Sequence, residues 1–258
     1  MKALHMSGAG NDFIVIDARG CSLDFENLAK SLCQETGADG FMAVDVSHIA
    51  DFRLHFYNAD GSRGEMCGNG ARCICKFAYD HGIARSQMTV QTDAGLVPGW
   101  RLEENRYRVQ LNNPAVVDLT RKPDTAYVEL GNPGVPHSIT EVPGLTFEQK
   151  EDLRAMAKAM RFDPVFPKGV NANLYTWLDH TTVRVLTYER GVEDYTLACG
   201  TGSGSVAVTL WLKGLLPDGV LKVENQGGTL TVTIGGKDGQ VQSLLLEGPA
   251  EVLAEYEI

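Results

Sequence analysis

Two cysteines in this chain each stand in a glycine cluster and head the same short pattern. The first copy runs Met66-Cys67-Gly68-Asn69-Gly70-Ala71-Arg72 and the second Ala198-Cys199-Gly200-Thr201-Gly202-Ser203-Gly204. The two cysteines are 132 residues apart in a chain of 258, close to half its length. Their flanks agree as well. Residues 51–58 alternate Phe52, Leu54 and Phe56 with polar partners, and residues 183–190 do the same with Val183, Val185 and Thr187. That alternation predicts a half-buried strand in each copy, ending nine residues before its cysteine. After each cysteine the apolar residues take helical spacing. Ala71, Ile74, Cys75 and Ala78 mark one helix face, and Val206, Ala207 and Leu210 the other. Gly82 and Gly214, each 15 residues past its cysteine, are the expected stops. Strand, loop, C-G-x-G and helix therefore occur twice in register. A duplication is the preferred reading, with two like domains whose cysteines face a shared cleft.

The remaining segments are mostly β-rich. Residues 88–93, 106–111, 126–130 and 173–178 read as strands, and 221–256 is strand-rich with Gly-Gly turns at 227–228 and 235–236. Residues 25–36 and 146–160 read as helices. Asn112-Asn113-Pro114 is the expected hinge between the halves.

Composition removes several classes. With 43% hydrophobic and 22% charged residues the chain is ordinary for a folded protein. No apolar run approaches the roughly 18 residues of a membrane span. The first residues carry no apolar stretch that would serve as a secretory signal. Lys and Arg number 23 against 33 Asp and Glu, a net charge of −10 without a basic cluster, which argues against a nucleic-acid partner. A reducing cytoplasm is the expected location, and the six cysteines are expected as free thiols. Cys21, Cys33, Cys73 and Cys75 read as small core residues. Cys73-x-Cys75 lacks zinc-knuckle spacing, and no second pair supports a metal.

Cys67 and Cys199 differ, because glycine clusters fill a core poorly. A cysteine at a helix start sees unpaired backbone N–H groups and the positive end of the helix dipole. Both favour a thiolate. The glycines let a substrate carboxylate approach the same N–H groups. The glycine pattern lacks the Lys-Ser/Thr of a phosphate loop, and Gly8-Ala9-Gly10 is not continued as a dinucleotide fingerprint. Two thiols across a cleft permit thiol hydrolysis, a redox disulfide, or proton removal and delivery on opposite faces of one carbon. The duplication favours the last, since inverting a stereocentre needs two equivalent acid/base groups.

At these residues the chain resembles the diaminopimelate epimerase family. Met66 to Cys73, preceded by Phe56-Tyr57-Asn58-Ala59-Asp60-Gly61-Ser62, resembles the family's first cysteine motif. Tyr188-Glu189-Arg190-Gly191 with Ala198 to Gly202 resembles the second. Gly8 to Phe13, Gly37-Ala38-Asp39-Gly40 and Phe166 to Asn171 fit in order, so the resemblance covers the whole chain. It implies interconversion of LL- and meso-diaminopimelate, in lysine and peptidoglycan synthesis, with no pyridoxal phosphate, metal or nucleotide. The implied fold is α/β (α+β): two pseudo-symmetric domains, each a curved mainly antiparallel sheet around a central helix, with the active site in the cleft between them. The C-terminal strand would return to the first domain, giving residues 1–113 plus 247–258 and residues 114–246. By motif match Cys67 and Cys199 are the acid/base pair. Gly68, Asn69, Gly200 and Thr201 are expected on the α-carboxylate. Asn11, Asn58, Asn171, Glu189 and Arg190 are expected on the substrate's amino and carboxylate groups. Glu189 and His137 are the expected polar tuning groups beside the cysteines. The implied partner is a small amino acid, with no membrane; a homodimer stays open.

The chain departs from the family at Gly131-Asn132-Pro133-Gly134-Val135-Pro136-His137, where many members read G-N-P-H. His137 is the better match for the family histidine, and Asn132 is either displaced or without its contact. Gly40 stands where some members have Gln. Three other readings compete. A related racemase of another amino acid, such as histidine, would not need Asn58, Glu189 and Arg190 together. A non-catalytic amino-acid-binding protein would not need two thiols. In a redox protein Cys67 and Cys199 would cycle through a disulfide. A proline-racemase-like enzyme usually has His where Asn69 stands.

Overall fold

The computed structural model describes residues 1–64 and 67–258, so Met66 of the first cysteine motif lies outside the described residues. The chain divides into two compact units, one of residues 1–110 with 247–258 and one of residues 111–246. Its elements are, in order, β1 (Lys2–Gly8), β2 (Asn11–Asp17), α1 (Phe25–Thr36), β3 (Gly40–Asp45), β4 (Phe52–Asn58), β5 (Arg63–Gly64), α2 (Gly68–Asp80), β6 (Gln87–Thr92), β7 (Gly95–Glu103) and β8 (Arg106–Leu111). Then come β9 (Pro114–Lys122), β10 (Thr125–Leu130), β11 (Val135–Glu141), α3 (Lys150–Arg161), β12 (Asn171–Asp179), β13 (Thr182–Tyr188), β14 (Tyr195–Thr196), α4 (Gly200–Leu212), β15 (Val220–Asn225), β16 (Gly228–Lys237), β17 (Gln240–Pro249) and β18 (Glu251–Glu257).

The first unit's sheet is mainly antiparallel. β18 lies on β1, β1 on β2, β3 on β4, β6 on β7 and β7 on β8, all antiparallel. Two pairings are parallel, β2 with β3 and β4 with β6, and each is bridged by a helix, α1 and α2. A parallel pair needs such a crossover. The second unit repeats the scheme. β9–β10, β10–β11, β12–β13 and β15–β16 are antiparallel, while β11–β12 and β13–β15 are parallel and bridged by α3 and α4. Even the two-residue strands correspond: β5 pairs with the end of β4, and β14 with the end of β13.

Each sheet is covered on both faces by helices, which is why its central strands read as near-continuous apolar runs. In the first unit Ile14, Ile16, Phe41 and Ala43 meet Ala29, Leu32 and Cys33 of α1. Phe13 and Met42, one residue out of phase, face Gly70 of α2. In the second unit Ala172, Leu174, Leu186 and Tyr188 pack with Ala157 and Met160 of α3. Each large side chain buried this way contributes about 1.5–3 kcal/mol relative to exposure.

The cysteine-headed helices are the buried ones. Gly68 to Ala78 of α2 is buried without a break, including Arg72 and Lys76, so the single apolar face expected from the spacing understates its burial. α2 and α4 are both 13 residues long and end alike. Gly82 donates to Tyr79 O and Ile83 N to Ala78 O; Gly214 donates to Trp211 O and Leu215 N to Leu210 O. Both glycines are left-handed, with φ of 66° and 72°, and both ends are Schellman motifs.

Other elements show where local chemistry wins or loses. α1 begins at Asp24, whose carboxylate accepts from Asn27 N, and stops at left-handed Gly37. The helix expected over 146–160 opens instead as a 3-10 turn at Phe147–Gln149, because Thr146 and Gln149 form a capping box, and α3 follows. Cys33, Cys73 and Cys75 are buried as expected, but Cys21 is exposed, since it falls in the loop after β2 outside both layers. Ala9 and Gly10, both at positive φ, make the tight turn between β1 and β2, so this glycine pair is hairpin chemistry.

Gly8, just before that turn, carries β1 across the start of α2. A Cβ there would lie 2.7 Å from Asn69 O and 3.1 Å from Cys73 Sγ. Gly8→Ala is expected to lower unfolding stability by about 1–3 kcal/mol. Urea denaturation measures this, and an unchanged midpoint would contradict the close approach.

Candidate active site

Cys67 is the residue that caps α2, and Cys199 caps α4. Both take extended backbone angles, φ −124° and ψ 125° against φ −117° and ψ 112°. Both carbonyls accept the first helical bond, from Ala71 N at 2.7 Å and from Ser203 N at 2.9 Å. The duplicated sequence thus places two thiols at the same point of two matched helices. At that point the first-turn N–H groups lack helical partners and the dipole favours negative charge.

The surroundings of the two thiols diverge. Cys199 is buried, and its Sγ accepts from Gly202 N at 3.3 Å and lies 3.6 Å from Thr201 Oγ1. Burial pushes its pKa well above the ordinary thiol value, and the adjacent Glu189 carboxylate pushes in the same direction. The contacts from Thr201 and Gly202 oppose that rise. Glu189 is held by Thr196, whose hydroxyl donates to Oε1 at 2.9 Å. Cys67 is half-buried. On its helix the next polar side chain, Asn69, is buried and donates to Asn11 Oδ1 at 2.5 Å. Asn11 in turn donates to Asp39 Oδ2 at 3.1 Å, which also accepts from Asp12 N at 3.0 Å. By contrast, burial pushes the Cys73 and Cys75 thiols up to about 12 and Cys33 to about 11, so these stay protonated at neutral pH.

The other expected residues fall into groups. Asn171 is buried, and its Oδ1 accepts from Arg190 N at 2.8 Å. Arg190 is exposed and donates from Nη1 to Lys168 O at 3.0 Å. It joins no ion pair among the described residues. Asn58 is exposed at the end of β4 and donates to Ser62 Oγ, across the turn that follows, at 2.9 Å. That bond is turn chemistry, and it leaves Asn58 outside the Asn11–Asn69 pair. Gly68 and Gly200 open the two helices. Asn132 lies exposed in the four-residue turn between β10 and β11. Gly134 is required there, since a Cβ would meet Glu129 Oε2 at 2.6 Å.

His137 is fully buried. Burial, aided by the Arg190 charge, lowers its pKa to about 3, so the ring is neutral. Its Nδ1 lies 3.2 Å from the Asn173 amide nitrogen, which assigns Nδ1 as acceptor and the proton to Nε2; no hydrogen-bond partner of Nε2 lies among the described residues. Asn173 was not anticipated from sequence. It donates to Ser138 O and Asn171 O at 3.0 Å each, accepts from Thr187 Oγ1 at 2.9 Å, and its Oδ1 occupies the space a Cβ at Gly202 would need. The Asn171-Ala172-Asn173 alternation, which puts both amides on one strand face, was the available signal.

No group of three or more His, Cys, Asp or Glu side chains gathers as a metal site among the described residues. The duplicated sheet with its two matched buried helices is a fold shared with solved proteins. A hydroxyproline epimerase from Agrobacterium vitis superposes with a TM-score of 0.73 at 14% identity, over 100% of this chain and 90% of that one. A phenazine biosynthesis protein of the PhzF family from Bacillus anthracis gives 0.72 at 17% identity, over 100% and 98%. The family model for diaminopimelate epimerase matches residues 3–117 and 130–253. The diaminopimelate epimerase of Aquifex aeolicus is 35% identical over 88% of both chains, and that of Caldanaerobacter subterraneus 37% over 83% of this chain and 85% of its own. The chain belongs to the diaminopimelate epimerase family.

The Glu189 contact generates a prediction with a definite sign. The carboxylate beside Cys199 raises the thiol pKa, so its removal lowers it, while burial still holds it up. In Glu189→Gln the pH midpoint for iodoacetamide alkylation of Cys199 should fall by about one unit or more. Peptide mass spectrometry across a pH series reads this, and an unmoved or higher midpoint would contradict the assignment.

Proposed function

We infer that the protein interconverts LL- and meso-2,6-diaminopimelate, inverting one α-carbon without pyridoxal phosphate. The observation that carries the reading is the pair of thiols capping α2 and α4 in a chain of this family. An α-proton beside a carboxylate is only weakly acidic, so its removal needs a strong, well-placed base and stabilisation of the charge that develops. One cysteine as thiolate takes the α-proton, and the other as thiol gives its own proton to the opposite face. After one turnover the two have exchanged protonation states, and proton exchange with solvent restores the starting pair before the next forward turnover. The first-turn N–H groups at Gly68, Asn69, Gly200 and Thr201 suit the α-carboxylate, whose charge the helix dipoles also favour. Asn11, Asn58, Asn171, Glu189 and Arg190 are the groups we assign to the substrate's ammonium and carboxylate ends. His137 and Glu189 tune the site around Cys199. Two working thiols suit a reducing compartment, and we place the enzyme in the cytoplasm; among the described residues no helix is long and apolar enough to cross a membrane.

The decisive assay incubates reduced enzyme with LL-diaminopimelate, and separately with L-histidine, in the presence of a chelator, followed by chiral separation. Cys67→Ala and Cys199→Ala should each lower epimerisation by a factor of roughly 10²–10⁴ or more while leaving circular dichroism unchanged. Near-normal turnover by either variant would sink the two-base assignment.

Specificity is carried by Arg190, whose exposed guanidinium can bind a distal carboxylate with two parallel hydrogen bonds. Arg190→Met should reduce kcat/KM for diaminopimelate roughly ten- to a hundredfold, and that for a monocarboxylic amino acid far less. The turn at residues 131–134, in which Asn132 and Pro133 are exposed, favours a second reading, a racemase of another amino acid such as histidine. Wild-type preference for histidine, or equal losses on both substrates, would select it.

A further inference from the structure

Glu129 is the one buried carboxylate among the described residues. It stands one residue from the end of β10, on the strand face it shares with Tyr127. The repeat does not call for it. β1 meets β2 at Gly8 and Asn11, and β10 meets β11 at Leu130 and Val135, so the matching position of the first unit is Ser7. A buried charge is costly unless it is paired and hydrogen-bonded. Glu129 meets that condition. Its Oε1 accepts from the Tyr127 hydroxyl, and its Oε2 accepts from Lys168 Nζ at 2.8 Å. Burial opposes the charge, but the bonds from Lys168 and Tyr127 outweigh it, and the carboxyl titrates below its ordinary range.

Two segments outside the cysteine motifs converge on this carboxylate. One is the G-N-P-G turn at 131–134, where a Cβ on Gly134 would stand 2.6 Å from Glu129 Oε2 and 2.7 Å from its Cβ. The other is Phe166-Pro167-Lys168-Gly169. Gly169 N donates to Phe166 O at 2.7 Å and closes a tight turn there. Phe166 fixes the inner end of the turn, buried and stacked on Tyr127 with ring centres 5.6 Å apart. The outer corner, Pro167 and Lys168, is exposed. The ion pair with Glu129 ties that corner back to β10.

What the corner holds is Arg190. Its Nη1 donates to Lys168 O at 3.0 Å, the one hydrogen bond of this guanidinium among the described residues. The Nε–Nη2 edge, two parallel donors suited to a carboxylate, has no partner among them. The backbone end of Arg190 is fixed separately, by its N–H on Asn171 Oδ1. Asn171 shares its strand face with Asn173, whose Oδ1 reaches Gly202, three residues past Cys199. Arg190 therefore springs from the network around Cys199, and its guanidinium is aimed by a carbonyl that a buried ion pair holds in place.

We propose that Glu129 is a positioning residue that sets substrate specificity: through Lys168 it holds the carbonyl on which the Arg190 guanidinium rests, so that the Nε–Nη2 edge is presented to the distal carboxylate of the substrate. The proposal rests on the diaminopimelate reading above, and its first test needs no substrate. Phenylglyoxal attacks free guanidinium groups, and peptide mass spectrometry follows its reaction with Arg190 in wild type, Glu129→Gln and Lys168→Met. Arg190 should react roughly three- to tenfold faster in both variants, the weight of one lost hydrogen bond. Arg154, paired with Glu151 and Asp194, should keep its wild-type rate. An unchanged Arg190 rate would overturn the proposal, and so would an equal rise at Arg154, which would mean general loosening. Should Glu129→Gln not fold, Lys168→Met, altered at an exposed side chain, decides alone. The second test reads specificity. KM for diaminopimelate should rise roughly three- to tenfold in each variant with kcat within about twofold, and the same substitutions should add nothing in an Arg190→Met background. A further loss of the same size in that background would overturn the proposal. No turnover of diaminopimelate by the wild type would overturn the substrate reading, and the phenylglyoxal rates would still decide whether Glu129 holds Arg190.

Discussion

Gly202 N donates to the Cys199 thiol at the first turn of a helix whose body is buried on every side. That bond expresses the constraint the rest of the architecture serves. A buried helix still needs partners for its first N–H groups. Here one of them meets a sulfur. The sheet is built around this demand. Two parallel crossovers hold each cysteine-headed helix against strands on one face, while α1 or α3 covers the other face. Close approach then dictates glycine at Gly8 and Gly202, where neighbouring atoms already occupy the space of a Cβ.

The two units show how a duplicated scaffold differentiates. Strand order, crossovers, helix length and Schellman ends are shared, and both cysteines take the same extended backbone angles. Side chains supply a difference: Arg72 and Asn69 in one copy correspond to Gly204 and Thr201 in the other, and the Glu189 carboxylate acts on the Cys199 thiol. In the two-base reaction proposed above, groups that act in opposite senses on one carbon gain from being unequal. A strict repeat could not make them so.

Much of this was legible in the chain. The helix at 25–36 carried both of its punctuation marks, Asp24 and Gly37. The alternation around 52–58 and 183–190 was readable because apolar positions recur with period two. β7, β9 and β11 escaped notice because Pro98, Pro114 and Pro136 look like breaks, yet each is accommodated by pairing with neighbours remote in sequence. Long-range pairing overrode a local signal. The site was legible where motif residues are close in sequence, as Glu189 and Cys199 are. Links such as Asn69 to Asn11, or Asn173 to Gly202, depend on tertiary approach and leave no periodic trace. Arg72 was hidden for another reason: arginines mostly lie in solvent, and nothing about a helix-borne arginine marks it as buried.

The strand on the outer side of β1 is β18, whereas the matching strand of the second unit, β9, directly precedes its partner β10. The order in which a ribosome releases the chain therefore bears on the two units unequally. All of the second unit's residues are present once residue 246 has emerged. The first, begun earlier, keeps an unpaired edge along β1 until the last residues are made, and such an edge is a template for wrong partners. The early-synthesised unit is the late-completed one.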